Sequence, residues 1–373
     1  MSSSTKTLPS PVRRFFSSPA AAAGAAGIAL LLVPALYAPF LVNGRPFFLS
    51  GPEGGSLPFL RYLFAPDTGE RLVNQLFNYL ALLLPLALIL RKRRRLLAGA
   101  AALLLLPFFL VSPRVDKTDY RQAAVSASRA VFAPIPYGPL EIVAEPCEPP
   151  SAKHILGTDN VGRDAAARLV YGARASLAVG IISTLIALVI GTFVGLTAGY
   201  FRGWFDLCVM RLVEILLCFP TFLLLLILMS ILGDCKFEQS MPVVILVIGF
   251  TGWIGLAFLV RGETLKQCGL PYIASCEVAG IPAGRIMVFH LLPNIMGPIL
   301  ITFTFGVAGA ILAESSLSFL GFGVQPPAPS WGGLLRQAFD NPLDNWHLTF
   351  FPGLALFIAV LSFNFTGEGL RRL

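Results

Sequence analysis

The sequence predicts an all-α polytopic membrane protein, and three observations carry that prediction. Of the 373 residues, 55% are hydrophobic and only 13% are charged, about half the charged share of a soluble domain. The mean hydropathy is +0.75. The apolar residues gather into eight runs, most long enough to cross a hydrocarbon core of about 30 Å at a rise of about 1.5 Å per residue. The apolar content excludes disorder. Six Cys in so long a chain exclude a disulfide-stapled secreted scaffold.

The runs place membrane helices at 20–42, 72–90, 96–111, 177–199, 209–232, 242–260, 293–313 and 349–366. The first is too long for a signal peptide and carries Pro34 and Pro39 without a cleavage site, so it reads as a retained helix. The third reaches only about 24 Å and needs a local extension or a thinner bilayer. With the N-terminus in the cytosol, 15 Lys and Arg fall on inside segments, among them the run Arg91–Arg95. Only 5 fall on the shorter outside segments, and 8 on the long segment 112–175, whose length exempts it from the positive-inside rule. Eight spans then leave both termini cytosolic. Residues 1–150 form an N-terminal membrane region of three spans and a Pro-rich extracytoplasmic segment. Residues 151–175 continue outside, and 176–373 carry the remaining five spans.

The net charge of +8 does not point to nucleic acid, because many basic residues flank apolar runs and serve as topological anchors. The cysteines at 147, 208, 218, 235, 268 and 276 form no CxxC pair, which argues against zinc. Cys147 and Cys235 would share the outer side, where a disulfide between them stays open. His154, His290 and His347 are far apart in sequence and are expected in different compartments, so no metal site is expected.

Gly191, Gly195 and Gly199 recur every four residues on one helix face and suit close helix packing. The segment Gly157-x4-Gly162-Arg163-Asp164 has the outline of a phosphate loop without its Lys and Ser/Thr, so that reading is rejected. Residues 164–174 suit a short amphipathic helix, with Thr158 or Asp159 as a cap and Arg168 and Arg174 reaching water or headgroups. In the polar stretch 261–290, residues 272–279 suit a short helix ended by Gly280. Such a helix is either a docking knob for a soluble partner or an ordinary solvated loop. Glu314, near the outer end of the seventh span, is a site candidate because a charge at that depth is costly, and a bond to the following turn explains it as well. Trp331 and Trp346 suit an interfacial belt.

Taken in order, several segments resemble the inner-membrane permease subunits of ABC importers for dipeptides, oligopeptides and nickel, in their second-permease branch. They are Leu156-Gly-Thr-Asp159 with Gly162-Arg163-Asp164, Tyr171–Leu177, Gly203-Trp-x-Asp206, Arg211-Leu-Val-Glu214 with Phe219-Pro220, and Val260-Arg-Gly-Glu263. His290-Leu-Leu-Pro-Asn294, Ala313-Glu-x-Ser-Leu-Ser-Phe-Leu-Gly321 and Pro329-Ser-Trp-Gly332 complete the set. The resemblance covers 151–373. It implies a type I ABC importer transmembrane domain that is not itself an enzyme and binds no cofactor or metal. It also implies a bacterial inner-membrane location and a set of partners: a second permease, two cytosolic ATP-binding subunits and an extracytoplasmic solute-binding protein. Residues 272–284 become the coupling region, with Tyr272, Ala274, Ser275, Cys276, Glu277, Gly280 and Arg285 as contact candidates. Leu156, Gly157, Thr158, Asp159, Gly162, Arg163 and Asp164 form the extracytoplasmic signature, and Glu314, Ser315 and Phe319 are pathway or gate candidates.

Two departures stand out. The family's usual Glu at the start of the coupling motif is Ala274 here, and three spans precede the Leu-Gly-Thr-Asp segment where the family commonly has one. The extra hairpin 72–111 has no role derivable from sequence. Peptides are the expected substrate, with nickel or another small solute as the alternative. A secondary transporter would require ionisable residues and broken helices at midplane, and a membrane enzyme would require a catalytic constellation. No HExxH, GxSxG or paired-acid motif is present.

Overall fold

The computed structural model describes residues 15–16, 18–51, 54–66, 70–111, 118, 120–127, 129–234 and 240–372. Cys235 lies outside the described residues, and with it the pairing to Cys147. Helices dominate. In chain order they are α1 Pro19–Leu36, α2 Ala38–Leu41, α3 Pro58–Phe64, α4 Arg71–Leu90, α5 Arg94–Leu110, α6 Tyr120–Ser126, α7 Ala165–Phe201, α8 Gly203–Leu217, α9 Thr221–Asp234, α10 Met241–Cys268, α11 Pro271–Val278, α12 Ala283–Ile286, α13 Leu292–Leu320, α14 Trp331–Gln337 and α15 Trp346–Arg371. A π-helical turn, Met287–Leu291, joins α12 to α13. Strands β1 Phe48–Gly51, β2 Gly54–Ser56 and β3 Arg129–Val131 form an antiparallel sheet in the order β2-β1-β3, with Leu49 opposite Ser56 on one side and Ala130 on the other.

Among the described residues six helices are long and apolar enough to cross a membrane, and a bent pair adds a seventh. Two expected spans differ, and a third is as short as the sequence leads one to expect. The run 20–42 breaks after Leu36. Helix α5 has 17 residues, about 25 Å, short of the hydrocarbon core. The run 209–232 is not one helix: α8 and α9 meet at 87°. Pro220 lacks an N–H and disfavours helical geometry at Phe219, so the chain turns at Cys218–Pro220. By contrast α7 has 37 residues and runs about 55 Å. It continues through positions 175 and 176 unbroken, so the expected short amphipathic helix is simply its first three turns.

The described residues fall into two compact units, each gathered from distant sequence segments. One comprises Met1–Ala29, Val179–Glu314 and Phe357–Leu373; the other comprises Leu30–Ala178 and Ser315–Leu356. In the first, α7 lies along α10. A Cβ on Gly191 would stand 2.9 Å from the Trp253 carbonyl, one on Gly195 2.6 Å from the Ala257 carbonyl, and one on Gly199 2.7 Å from Thr264 Cβ. Neither a backbone carbonyl nor a Cβ can swing aside, so the three glycines set the approach of the two helices. Beside this seam Leu196, Leu256, Val260, Ile273, Ile286, Leu291, Ile295 and Ile299 form a buried apolar cluster.

The second unit centres on the first turns of α7, where Ala167 and Tyr171 pack with Ala38, Val42 and Tyr62. Arg174 is only 1% exposed, contrary to the expectation that it reaches water. Its Nε donates to the Ala35 carbonyl at 2.6 Å, Nη2 to the Leu36 carbonyl at 2.9 Å and Nη1 to Asn74 Oδ1 at 3.1 Å. The last carbonyls of a helix have no partner within it, and this guanidinium supplies one for the end of α1.

Candidate functional site

The Leu-Gly-Thr-Asp segment is a knot of turns in the second unit. Asp159, fully buried, accepts from the Val161 and Arg163 amides through Oδ1, each at 2.9 Å. Its Oδ2 accepts from Arg163 Nε at 2.8 Å. Arg168 Nε lies 3.1 Å from the same oxygen, within ion-pair range but off the axis of a hydrogen bond. Thr158 Oγ1 donates to the Glu145 carbonyl at 2.7 Å and accepts from the Glu148 amide at 2.8 Å. The cap of α7 is neither Thr158 nor Asp159 but Asp164, whose Oδ1 accepts from the Ala167 amide at 2.8 Å. The carboxylate one position before the helix is the group that reaches its free amides. Asp164 Oδ2 also accepts from His154 Nδ1 at 2.8 Å.

Gly157 and Gly162 have φ of +77° and +85°, a backbone region that Gly occupies without steric cost. A Cβ on Gly157 would also meet the His347 ring, and one on Gly162 would run into the Ala144 carbonyl. Leu156 packs against Ala165, Ala338 and Leu348. His347 Nε2 donates to the Thr158 carbonyl at 3.0 Å. His154 and His347 therefore share one site, contrary to the expectation of separate compartments. Two more expectations fail here. Arg168 is only 2% exposed, and Trp331 is only 1% exposed, its indole N–H donating to the Leu169 carbonyl. Trp331 is thus a core residue, whereas Trp346 remains exposed.

The second candidate feature, and an exposed one, is the α10–α13 connection. Leu270 is extended and Pro271 opens α11, where a missing N–H costs nothing. At its end the Gly280 amide donates to the Glu277 carbonyl at 3.0 Å and the Ile281 amide to the Cys276 carbonyl at 3.1 Å. Gly280 has a φ of +70°, completing a Schellman cap. Ile273 is buried, with Tyr272, Cys276 and Ile281 packed against the same cluster. Tyr272 Oη donates to Gln267 Oε1 at 2.9 Å, and burial raises the pKa of that phenol. Ala274, Ser275, Glu277, Gly280 and Arg285 are exposed, and Val278 is 90% exposed. Beyond Arg285, Pro293 removes one helical donor, and the ladder widens into the π turn that holds His290. Arg261 on α10 grips Asp206 on α8 through two hydrogen bonds of 2.5 and 2.6 Å.

The remaining candidates all lie near the end of α13. Glu314 is fully buried and Ser315 nearly so, while Phe319 packs edge-on against Phe339. None of them lines either of two cavities that sequence reading missed. One, of ≈ 590 Å³, lies among Arg163, Arg168, Gln325, Arg336, Gln337 and Asp340. The other, of ≈ 290 Å³, lies among Ser183, Thr184, Thr221, Thr251, Gly306 and Ala310. Each draws residues from segments far apart in sequence. Only the hydroxyls of Ser183 and Thr184, adjacent in a span, gave a local signal.

Long apolar helices joined by a rooted cap of exposed helix and a tightly bonded polar knot define a multi-pass membrane protein. Residues 191–373 match the family described as binding-protein-dependent transport system inner membrane component. The chain is 40% identical over 224 residues to the glutathione transport system permease protein GsiD of Pectobacterium atrosepticum, covering 60% of this chain and 73% of that one. It is 39% identical over 224 residues to the dipeptide transport system permease protein DppC of Bacillus subtilis, covering 60% and 68%. A putative peptide transport system permease protein of Brucella suis is 38% identical over 224 residues, covering 60% and 74%. The chain belongs to this family: it is a multi-pass bacterial inner-membrane permease subunit of an ABC importer.

Proposed function

We propose that the chain forms half of a pathway for di- and oligopeptides, paired with a second permease and driven by two cytosolic ATP-binding subunits. The observation that carries this reading is the α11 knob. Its inner face is rooted in a buried apolar cluster, while Ala274, Ser275, Glu277 and the 90%-exposed Val278 face outward. A rigid root passes motion to α10 and α13, and an exposed apolar side chain on a short cap is a surface for a partner. ATP hydrolysis belongs to those partners. Their closure pushes α11, and the spans shift between inward- and outward-open populations. Tyr272 and Cys276 root the knob, Arg285 is an exposed contact candidate beside it, and the missing Glu at 274 leaves Glu277 as its acid.

Both termini face the cytosol in this reading. The 151–175 segment and residues 321–348 face outward and receive the solute-binding protein. The cavity beside Ser183 and Thr251 offers hydroxyls to peptide main-chain groups and forms part of the pathway wall, and Glu314 and Ser315 are gate candidates next to it along α13. The peptide assignment rests on relatives whose names specify glutathione, dipeptide and peptide transport.

Affinity purification of the chain from native membranes in mild detergent tests the assembly. A second permease and ATP-binding subunits should accompany it, and the reconstituted complex should import labelled dipeptide only with ATP. Repeated recovery of the chain alone, with other membrane complexes intact, would overturn the reading.

A further inference from the structure

The larger cavity carries an unbalanced charge. Three arginines line it, Arg163, Arg168 and Arg336, against one carboxylate, Asp340. Beneath it Asp159 serves both Arg163 and Arg168, so one negative charge is shared between two guanidinium groups. Arg163 is 8% and Arg168 2% exposed. Burying a second cation beside a carboxylate already engaged by the first is costly. Arg168 recovers part of the cost through Nη1, which donates to the Pro139 carbonyl at 3.1 Å and the Pro327 carbonyl at 3.4 Å. Neutral carbonyls orient the guanidinium without balancing its charge.

The third arginine is also placed. Gly321 has a φ of +92°, and a Cβ there would overlap the Arg336 guanidinium. Arg336 therefore lies over the bare backbone of that turn and lines the cavity from the last turn of α14. The wall between is built of Val324, Pro326, Pro327 and Ala328, residues with little freedom to collapse inward. A volume of ≈ 590 Å³ sits within the range of small-molecule sites, about 300–1,000 Å³. A lone acidic side chain from a docked protein would leave most of that space empty. Arginine forks match carboxylates in bidentate geometry, and Asp340 supplies the opposite sign for a ligand that is also cationic.

We propose that this cavity is a subsite for the transported peptide itself: the arginines take its C-terminal carboxylate and Asp340 faces its ammonium end. The inference rests on the peptide reading above and adds to it a place where free peptide is held at the outer face. Asp159 is then a positioning residue that fixes two of the three arginines.

Arginine modification tests it at equilibrium, without nucleotide. Phenylglyoxal is applied to the purified importer, and modification of the exposed Arg336 is read by peptide mass mapping, with exposed Arg211 as the reference. Alanyl-alanine at about ten times its Kd should slow modification of Arg336 about tenfold and leave Arg211 unchanged. Alanyl-alanine amide, lacking the carboxylate, should not protect. Arg168→Gln should abolish protection; if that variant fails to fold, the comparison of acid with amide in the unaltered protein still decides. Equal rates with and without dipeptide, or equal protection by the amide, would overturn the subsite. Protection by the solute-binding protein alone would also overturn it and assign the arginines to protein docking. Dipeptide uptake without protection removes only this inference, whereas protection without uptake removes the peptide-import reading and leaves a peptide-binding site that is not a transport subsite.

Discussion

Asp206 and Arg261 stand 55 residues apart in sequence and meet through two hydrogen bonds, Nε to Oδ1 at 2.5 Å and Nη2 to Oδ2 at 2.6 Å. The side chains are 14% and 27% exposed, so water screens the pair only partly. It joins the start of α8 to α10, about two turns before α10 ends at Cys268. Asp206→Asn should cost about 1.5–3 kcal/mol, the worth of hydrogen bonds to a charged group. Thermal unfolding in detergent measures it. The double exchange Asp206→Arg with Arg261→Asp should recover part of the loss. No recovery would mean that the site needs each residue's shape rather than the pairing.

Gly280→Pro tests the knob. Proline fixes φ near −65°, and Gly280 sits at +70°, so the cap that returns the chain to α12 cannot form. The apolar spans are untouched, and membrane insertion should be unchanged. Uptake should fall on the order of tenfold, the scale of a lost coupling energy. Normal uptake at normal expression would remove the docking role from α11.

Much of this arrangement is legible in the sequence because membrane helices and turns are local. Apolar runs announce the spans, and Gly280 announces the end of α11. What stays hidden is set by distant partners. Arg168 and Arg174 read as surface cations, because nothing near them names Asp159, Ala35 or Asn74 as acceptors. Trp331 reads as a belt residue until the Leu169 carbonyl is found beside its indole. The bend at Pro220 has a local signal, but the apolar run passes straight across it, so period and hydropathy outvote the proline. Apart from the adjacent hydroxyls of Ser183 and Thr184, both cavities are hidden for the same reason: their walls come from segments separated by tens to more than a hundred residues.

Sided labelling tests the orientation. In single-cysteine variants, a membrane-impermeant maleimide added outside intact spheroplasts should reach Cys147 and not Cys276. The order should reverse in inside-out vesicles. Burial raises the Cys147 thiol pKa, and the nearby Asp159 charge adds to it. The reactive thiolate is therefore scarcer than for a free cysteine at the same pH, and labelling should speed up about tenfold per pH unit below the pKa. Labelling of Cys147 from the cytosolic side would invert the proposed topology.

Arg174 gives the extra N-terminal helices a physical connection to α7. Its guanidinium serves the carbonyls of Ala35 and Leu36 and the side chain of Asn74, so the end of α1 and the first turn of α4 share one buried cation. The cation also lies over the rings of Phe77 and Tyr171, 5.4 and 5.3 Å from their centroids. Lysine at this position keeps the charge but lacks the planar fork that reaches three acceptors at once. Arg174→Lys should therefore strand buried carbonyls and cost about 3 kcal/mol or more. Hydrogen exchange on the full chain localises the effect: amides in the last turn of α1 and the first turns of α4 should exchange faster, and those of α10 and α11 should not. If every helix loosened together, Arg174 would be a general core residue. If none did, the N-terminal helices would be held by apolar packing alone, and the extra hairpin would not depend on this contact.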